Sequence, residues 1–171
     1  DKTNYDFLFK KKFFFDQKYK KNSYKKMVIS IKEIIRYSKK HNVNIAIETE
    51  GSFKSKDHLM MQLPKDFNFF KKNFSHKDIG INLNLAHLNL AAKAFKFKKT
   101  RYVNSIKKYI VAVELSHNYK NDDSHKPLIK NSWYFKFINS HIPKSVPIIL
   151  EFRNSRIDDV KSSIRLIKNL N

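Results

Sequence analysis

Four short apolar runs constrain this sequence more than any other feature. Each carries a polar or acidic residue at or near its end, and helix-length chain separates it from the next. They are Val43 to Thr49 (VNIAIET), Ile79 to Leu85 (IGINLNL), Tyr109 to Leu115 (YIVAVEL) and Val146 to Phe152 (VPIILEF). Runs this short, rich in Val and Ile and bounded by polar residues, read as buried strands. Strands spaced by helix-length crossovers pair in parallel, so the pattern predicts a parallel sheet with helices packed outside it.

The intervening segments supply the helices. Asn22 or Ser23 is placed to cap a helix that runs to about His41, with Met27, Val28, Ile31, Ile34 and Ile35 on one face. Pro64 suits the first turn of a helix through Phe67, Phe70 and Phe74. Further helices are expected from Leu88 to Phe97, from Tyr102 to Lys108 and around Trp133 to Ile138. Ser155 caps a last one, with Asp158 near its positive end and Ile157, Val160, Ile164 and Ile167 sharing a face.

Two architectures fit this order: a flavodoxin-like open sheet and part of a (β/α)8 barrel. Gly51 and Gly80 are the only glycines, so no glycine-rich phosphate loop exists and nucleotide-binding open sheets lose ground. The expected fold is α/β: a partial (β/α)8 TIM barrel of about four parallel strands, each followed by a helix, as a single domain over residues 1–171. Four strands do not close an eight-stranded barrel. The chain also opens on Asp1 instead of Met. N-terminal strands are therefore expected to be missing, or another chain or a second copy to complete the sheet.

Composition narrows the function. The net charge of +21 would ordinarily direct attention to nucleic acid. Only Arg36, Arg101, Arg153, Arg156 and Arg165 are arginines, however, and the lysines are spread through a chain rich in Asn, Ile and Phe. Bidentate recognition of phosphates and bases favours Arg, so nucleic acid is not the favoured partner. Without Cys there are no disulfides, thiol nucleophiles or Cys-bound zinc, and any metal must sit on oxygen and nitrogen ligands. No run of about 18 apolar residues spans a bilayer. Lysines interrupt the Phe-rich stretch from Phe7 to Phe15, unlike a signal peptide, and a cytoplasmic location is expected.

In parallel α/β folds the carboxyl ends of the strands build the active site. The first run ends in Glu48 and Glu50, the second in Asn84 and then His87. The third ends in Glu114 and His117, followed by a loop with Asp123 and His125, and the fourth in Glu151 and Arg153. Three acids at the same end of parallel strands gather like charges in one mouth, which is costly without a neutralising cation. A bound metal is the economical explanation. Asp123-Ser124-His125 places an oxygen and a nitrogen ligand within reach of one ion. His41, His58, His76 and His141 fall at expected helix ends or in loops and receive no role.

IAIETEGSF (Ile45 to Phe53), INLNLAH (Ile81 to His87), VELSHNYKNDDSHKPL (Val113 to Leu128) and IILEFR (Ile148 to Arg153) resemble, in order, the strand-end motifs of the xylose-isomerase-like TIM-barrel superfamily. That superfamily includes sugar and sugar-phosphate isomerases and epimerases and the barrel-fold apurinic-site endonucleases. The resemblance runs from about Asn22 to the C-terminus. It implies that Glu48 and Glu151 are the first and last glutamate ligands, and that in an epimerase the same pair exchanges protons beside the carbonyl. It aligns His87 with a histidine that follows an aspartate ligand by three residues, but Asn84 stands where that aspartate belongs. Glu114 stands where a histidine ligand usually lies. Asp123 and His125 match a D-x-H that holds another metal in the endonucleases.

The resemblance thus implies a metal-dependent sugar or sugar-phosphate isomerase or epimerase working through an enediolate. The implied metal ligands are Glu48, Asn84, Glu114, Asp123, His125 and Glu151, and the implied acid–base pair is Glu48 and Glu151. His87, His125 and Arg153 would steer a carbohydrate substrate. With Asn84 and Glu114 in the set, Mn2+ or Mg2+ is favoured and Zn2+ is the alternative. The rival activities are abasic-site DNA incision and a catalytically degenerate barrel.

Overall fold

The structure, a computed structural model, describes residues 17–52 and 59–168. The aromatic lead from Phe7 to Phe15, and Phe53 and His58, lie outside the described residues. The elements run α1 (Gln17–Lys40), β1 (Ala46–Glu48), α2 (Pro64–Asn73), β2 (Gly80–Asn84), α3 (Leu85–Ala94) and α4 (Lys99–Ile106). After a single 3-10 turn (Lys107–Tyr109) come β3 (Ile110–Leu115), α5 (Trp133–His141), β4 (Ile148–Leu150) and α6 (Ile157–Lys168).

All strand pairings are parallel, in the spatial order β1-β2-β3-β4. Sequential order with no reversal is that of a barrel wall, not of an open doubly wound sheet, which changes direction at a switch point. The fold is a partial α/β barrel. β2 and β3, with a neighbour on each side, are the longest strands. Among the described residues β1 and β4 pair on one side only, and they shrink to three residues each, against the seven that their apolar runs suggested.

Alternation along the strands separates two layers. Ile81, Leu83, Val113 and Leu115 face the helices and are fully buried among Phe67, Phe70, Leu88, Tyr102, Val103 and Ile106. Burying each such side chain is worth roughly 1.5–3 kcal/mol. A register shift in the β2–β3 pairing takes Val111 out of this alternation and sets it against Gly80, and on the inward face Val111 and Ile149 remain 47% and 44% exposed.

The helices depart from expectation in informative places. α1 starts five residues before the expected Asn22 cap, and Ile34 faces solvent while Val28 and Ile31 are buried. α3 begins at Leu85, three residues early, because β2 runs into it without a loop. On α6, Ile157 and Ile164 are exposed and Ser163 is buried instead. The Ser163 hydroxyl donates to the Asp159 carbonyl and accepts from the Leu128 amide at 3.1 Å, which ties α6 to the loop after β3. Ser155 does not cap α6; its hydroxyl contacts the Arg153 carbonyl at 3.4 Å. No helix among the described residues is long and apolar enough to cross a membrane.

Candidate functional site

The four strand ends meet at Asn84. This residue closes β2 and is the N-cap of α3, a position that favours Asn because its side-chain oxygen can accept an orphan helix amide. Asn84 Oδ1 accepts from the His87 backbone N–H at 3.1 Å. The Asn84 backbone N–H in turn donates to Thr49 Oγ1 at 3.0 Å, fixing β2 against the end of β1.

With its oxygen so committed, the amide nitrogen faces the carboxylates. Asn84 Nδ2 lies 2.9 Å from Glu48 Oε1, 3.1 Å from Glu114 Oε2 and 3.3 Å from Glu151 Oε2. The side-chain oxygen serves the helix cap, so the side chain presents its nitrogen to the mouth. Glu48, Glu114 and Glu151 do converge, but on an amide donor.

A second cluster adjoins the first. His87 projects from the first turn of α3 and Asp123 and His125 from the loop after β3, and single ligand atoms of the three lie within 4.8 Å of one another. Asp123 Oδ2 accepts from His125 Nε2 at 2.9 Å, while Asp123 Oδ1 is 3.5 Å from His87 Nε2. His125 Nδ1 stands 2.9 Å from Glu151 Oε2, off the line of a hydrogen bond, and His87 Nδ1 is 3.3 Å from Glu48 Oε1. The imidazoles thus link the two clusters.

The tautomer of His87 follows from its neighbours. Its Nδ1 lies 2.9 Å from the Thr49 carbonyl, which only accepts, so Nδ1 carries a hydrogen and Nε2 is turned to Asp123. Burial opposes charge on His87, but the Asp123, Glu48 and Thr49 contacts outweigh it and push the imidazole up to about 10. For Asp123, burial pulls upward and is overcome by His87 and His125, which hold the carboxyl down at about 2. Hydrogen bonding to His87 likewise lowers Glu48, whereas burial and then the nearby Glu48 charge raise Glu114. Burial also raises Glu50, whose backbone N–H is bonded to the Met61 carbonyl.

Of the other residues singled out in the sequence, Arg153 sits at the mouth with a 62% exposed side chain, 3.6 Å from Asp123 Oδ2. His117 is buried between the rings of Tyr119 and Tyr134, and burial lowers its pKa. Its backbone pairs with Lys126 and closes the base of the loop that carries Asp123 and His125.

Thr49 and Gly51 escaped notice in the sequence, although both lie in the run that supplies Glu48. A Cβ on Gly51 would fall 2.4 Å from the His87 carbonyl oxygen, so only glycine lets the β1 loop pass against His87. A glycine directly after a strand-end acid, in a chain with two glycines, was the available signal.

The cluster suits a divalent ion. Asp123 Oδ1 is buried without a hydrogen-bond partner in a group that also offers two imidazoles, a donor set of nitrogen and oxygen.

Fold and rim together define a partial parallel α/β barrel with its ionisable side chains at the carboxyl ends of the strands. The chain belongs to the xylose isomerase-like TIM barrel family, whose model matches residues 11–170. Among solved structures it is similar to a D-tagatose 3-epimerase-like protein, with 19% identity and a TM-score of 0.68 over 84% of this chain and 52% of that one. It is also similar to a candidate xylose isomerase from Rhodospirillum rubrum ATCC 11170, with 11% identity and a TM-score of 0.55 over 81% of this chain and 50% of that one. The chain therefore spans about half the length of these structures. No curated protein matches it.

Proposed function

We propose that this chain carries the catalytic rim of a metal-dependent sugar or sugar-phosphate isomerase or epimerase, which moves a proton on the carbon beside a carbonyl. One observation carries this reading. Glu48 and Glu151, from opposite margins of the sheet, reach the same small space, 2.9 and 3.3 Å from Asn84 Nδ2. Two carboxyl groups approaching one point from two sides suit removal of a proton and its return to the same or a neighbouring atom.

Glu48, held ionised by His87, takes the proton from carbon, and Glu151 returns one. Glu114, whose carboxyl is pushed upward by burial and by Glu48, faces the same space beside Asn84 Nδ2. Arg153, exposed at the mouth, steers the polar end of the carbohydrate. His87, Asp123 and His125 would hold a divalent ion, and when bound such an ion supplies Lewis-acid polarisation of the substrate oxygens. Two imidazoles and a carboxylate favour Mn2+ or Zn2+ over Mg2+. The belonging to this family and the epimerase-like neighbour support the reaction class.

The test is solvent exchange. Mn2+-loaded protein incubated with ketoses and aldoses in D2O incorporates deuterium at the carbon beside the carbonyl, read by NMR, and Glu151→Gln abolishes it. Undiminished exchange in that variant sinks the assignment.

A second reading, abasic-site DNA incision, is favoured by the His87, Asp123 and His125 grouping together with the +21 charge. Metal-dependent cutting of an abasic-site oligonucleotide, lost in Asp123→Asn, would establish it over the first. The exposed inward residues Val111 and Ile149 support completion of the wall by further strands, from a longer chain or a second copy. A well-behaved monomer of 20.4 kDa in solution would count against that.

A further inference from the structure

We propose that the Asn84 amide takes the place of a cation in the rim of Glu48, Glu114 and Glu151, so that this rim holds no metal ion and any ion the protein takes sits elsewhere. The proposal concerns the rim alone and stands whether or not the reaction above is the right one.

Three carboxyl groups gathered at one point need a cation or hydrogen-bond donors between them, and here an amide supplies the donor. Asn84 Nδ2 is within 3.3 Å of an oxygen from each. An amide nitrogen carries two hydrogens and no lone pair to offer, so it is a donor to these oxygens and never a ligand. The carboxylate oxygens that would face an ion accept from the amide instead.

Turning the amide around would bring its oxygen inward, but the arrangement resists it. The flipped side chain would set an N–H against the His87 backbone N–H and leave that buried donor without its partner. The cap of α3 therefore locks the inward group as a donor.

Aspartate caps helices about as well as asparagine. In Asn84→Asp one carboxylate oxygen would still accept from the His87 N–H, while the other would join Glu48, Glu114 and Glu151 as an acceptor. The backbone need not move, yet a shell bridged by an amide donor becomes an all-oxygen shell that demands a hard divalent cation.

The experiment counts Mn2+ bound per full-length chain, by equilibrium dialysis and by the electron paramagnetic resonance of free ion. Asn84→Asp is expected to take one more Mn2+ than the wild type. Glu114→Gln is expected to leave the wild-type count unchanged and to remove the added ion from the Asn84→Asp background. Equal counts in the wild type and Asn84→Asp, or loss of a wild-type ion in Glu114→Gln, would overturn the proposal. A wild type with no ion and an Asn84→Asp chain with one would uphold it while removing the metal from the reaction proposed above. Should Asn84→Asp fold only with Mn2+ present, that dependence is itself the expected gain. Should it not fold at all, the Glu114→Gln count on the wild type decides.

Discussion

His87 Nε2 and Asp123 Oδ1 stand 3.5 Å apart, although one belongs to the first turn of the helix after β2 and the other to the loop after β3. Their mutual effect gives metal-free protein a distinctive pH dependence. His87 is raised from its ordinary 6.5 to about 10, so its contribution to stability is complete below 6.5 and is lost as pH rises through about 10. Asp123 is lowered from 3.8 to about 2, so its contribution is present above 3.8 and is lost as pH falls through about 2. Urea midpoints measured in chelator across this range should fall at both ends, and His87→Gln should flatten both limbs relative to the wild type. An alkaline limb identical in the two proteins would refute the pairing.

Ion binding must displace the proton on His87 Nε2, because an imidazole ligates through a bare nitrogen. Mn2+ affinity should accordingly climb with pH between about 6 and 9, by up to about tenfold per unit for one released proton. Calorimetry in buffers of different ionisation enthalpy reads the proton directly. Asp123→Asn should weaken binding by more than about tenfold.

Gly51→Ala tests how closely the chain is threaded behind His87. The new methyl would lie 2.4 Å from one backbone atom of His87 and 2.5 Å from another, and backbone does not yield as a flexible side chain does. A loss of about 1–3 kcal/mol in chemical denaturation is expected, together with weaker Mn2+ binding because His87 is displaced. Loss of stability with unchanged ion affinity would show that the loop gives way in place of His87.

Phe67→Ala should separate scaffold from rim. Phe67 is fully buried in the helix layer, edge-on to Tyr102 at 5.0 Å between ring centroids. Its truncation should cost about 3–5 kcal/mol. Mn2+ affinity, measured well below the lowered melting temperature, should stay within about twofold of the wild type.

Glu48→Gln and Glu151→Gln should behave in the opposite sense. Both side chains are partly exposed at the rim, so thermal midpoints should shift little. Exchange at the carbon beside the carbonyl should drop by at least about a hundredfold.

Element order, strand count and the sealed outer layer were legible in the sequence because hydrophobic period and helix-length spacing are local properties. The apolar runs named all four strands, yet overestimated β1 and β4 because length at a margin depends on how many neighbours pair, which no single run reveals. Convergence of Glu48, Glu114 and Glu151 could be anticipated from their shared strand-end position. The orientation of Asn84 could not, since it is decided by a bond to His87 N–H that exists only once α3 starts directly after β2. Nor does the sequence reveal that His87 has Asp123 and Glu48 as titratable neighbours. A helix start, a strand end and a loop separated in sequence had to be folded together before that grouping could be seen.

Neighbouring positions on these strands belong to different compartments. Leu83 and Asn84, or Val113 and Glu114, are adjacent in the chain, but the first of each pair is fully buried against helices and the second opens toward the mouth. Such a wall can exchange one ligand type for another at every second residue without disturbing the packing behind it. Asn84 and Glu114 stand at such positions, so little of the fold's cohesion is stored in the side chains that line the mouth.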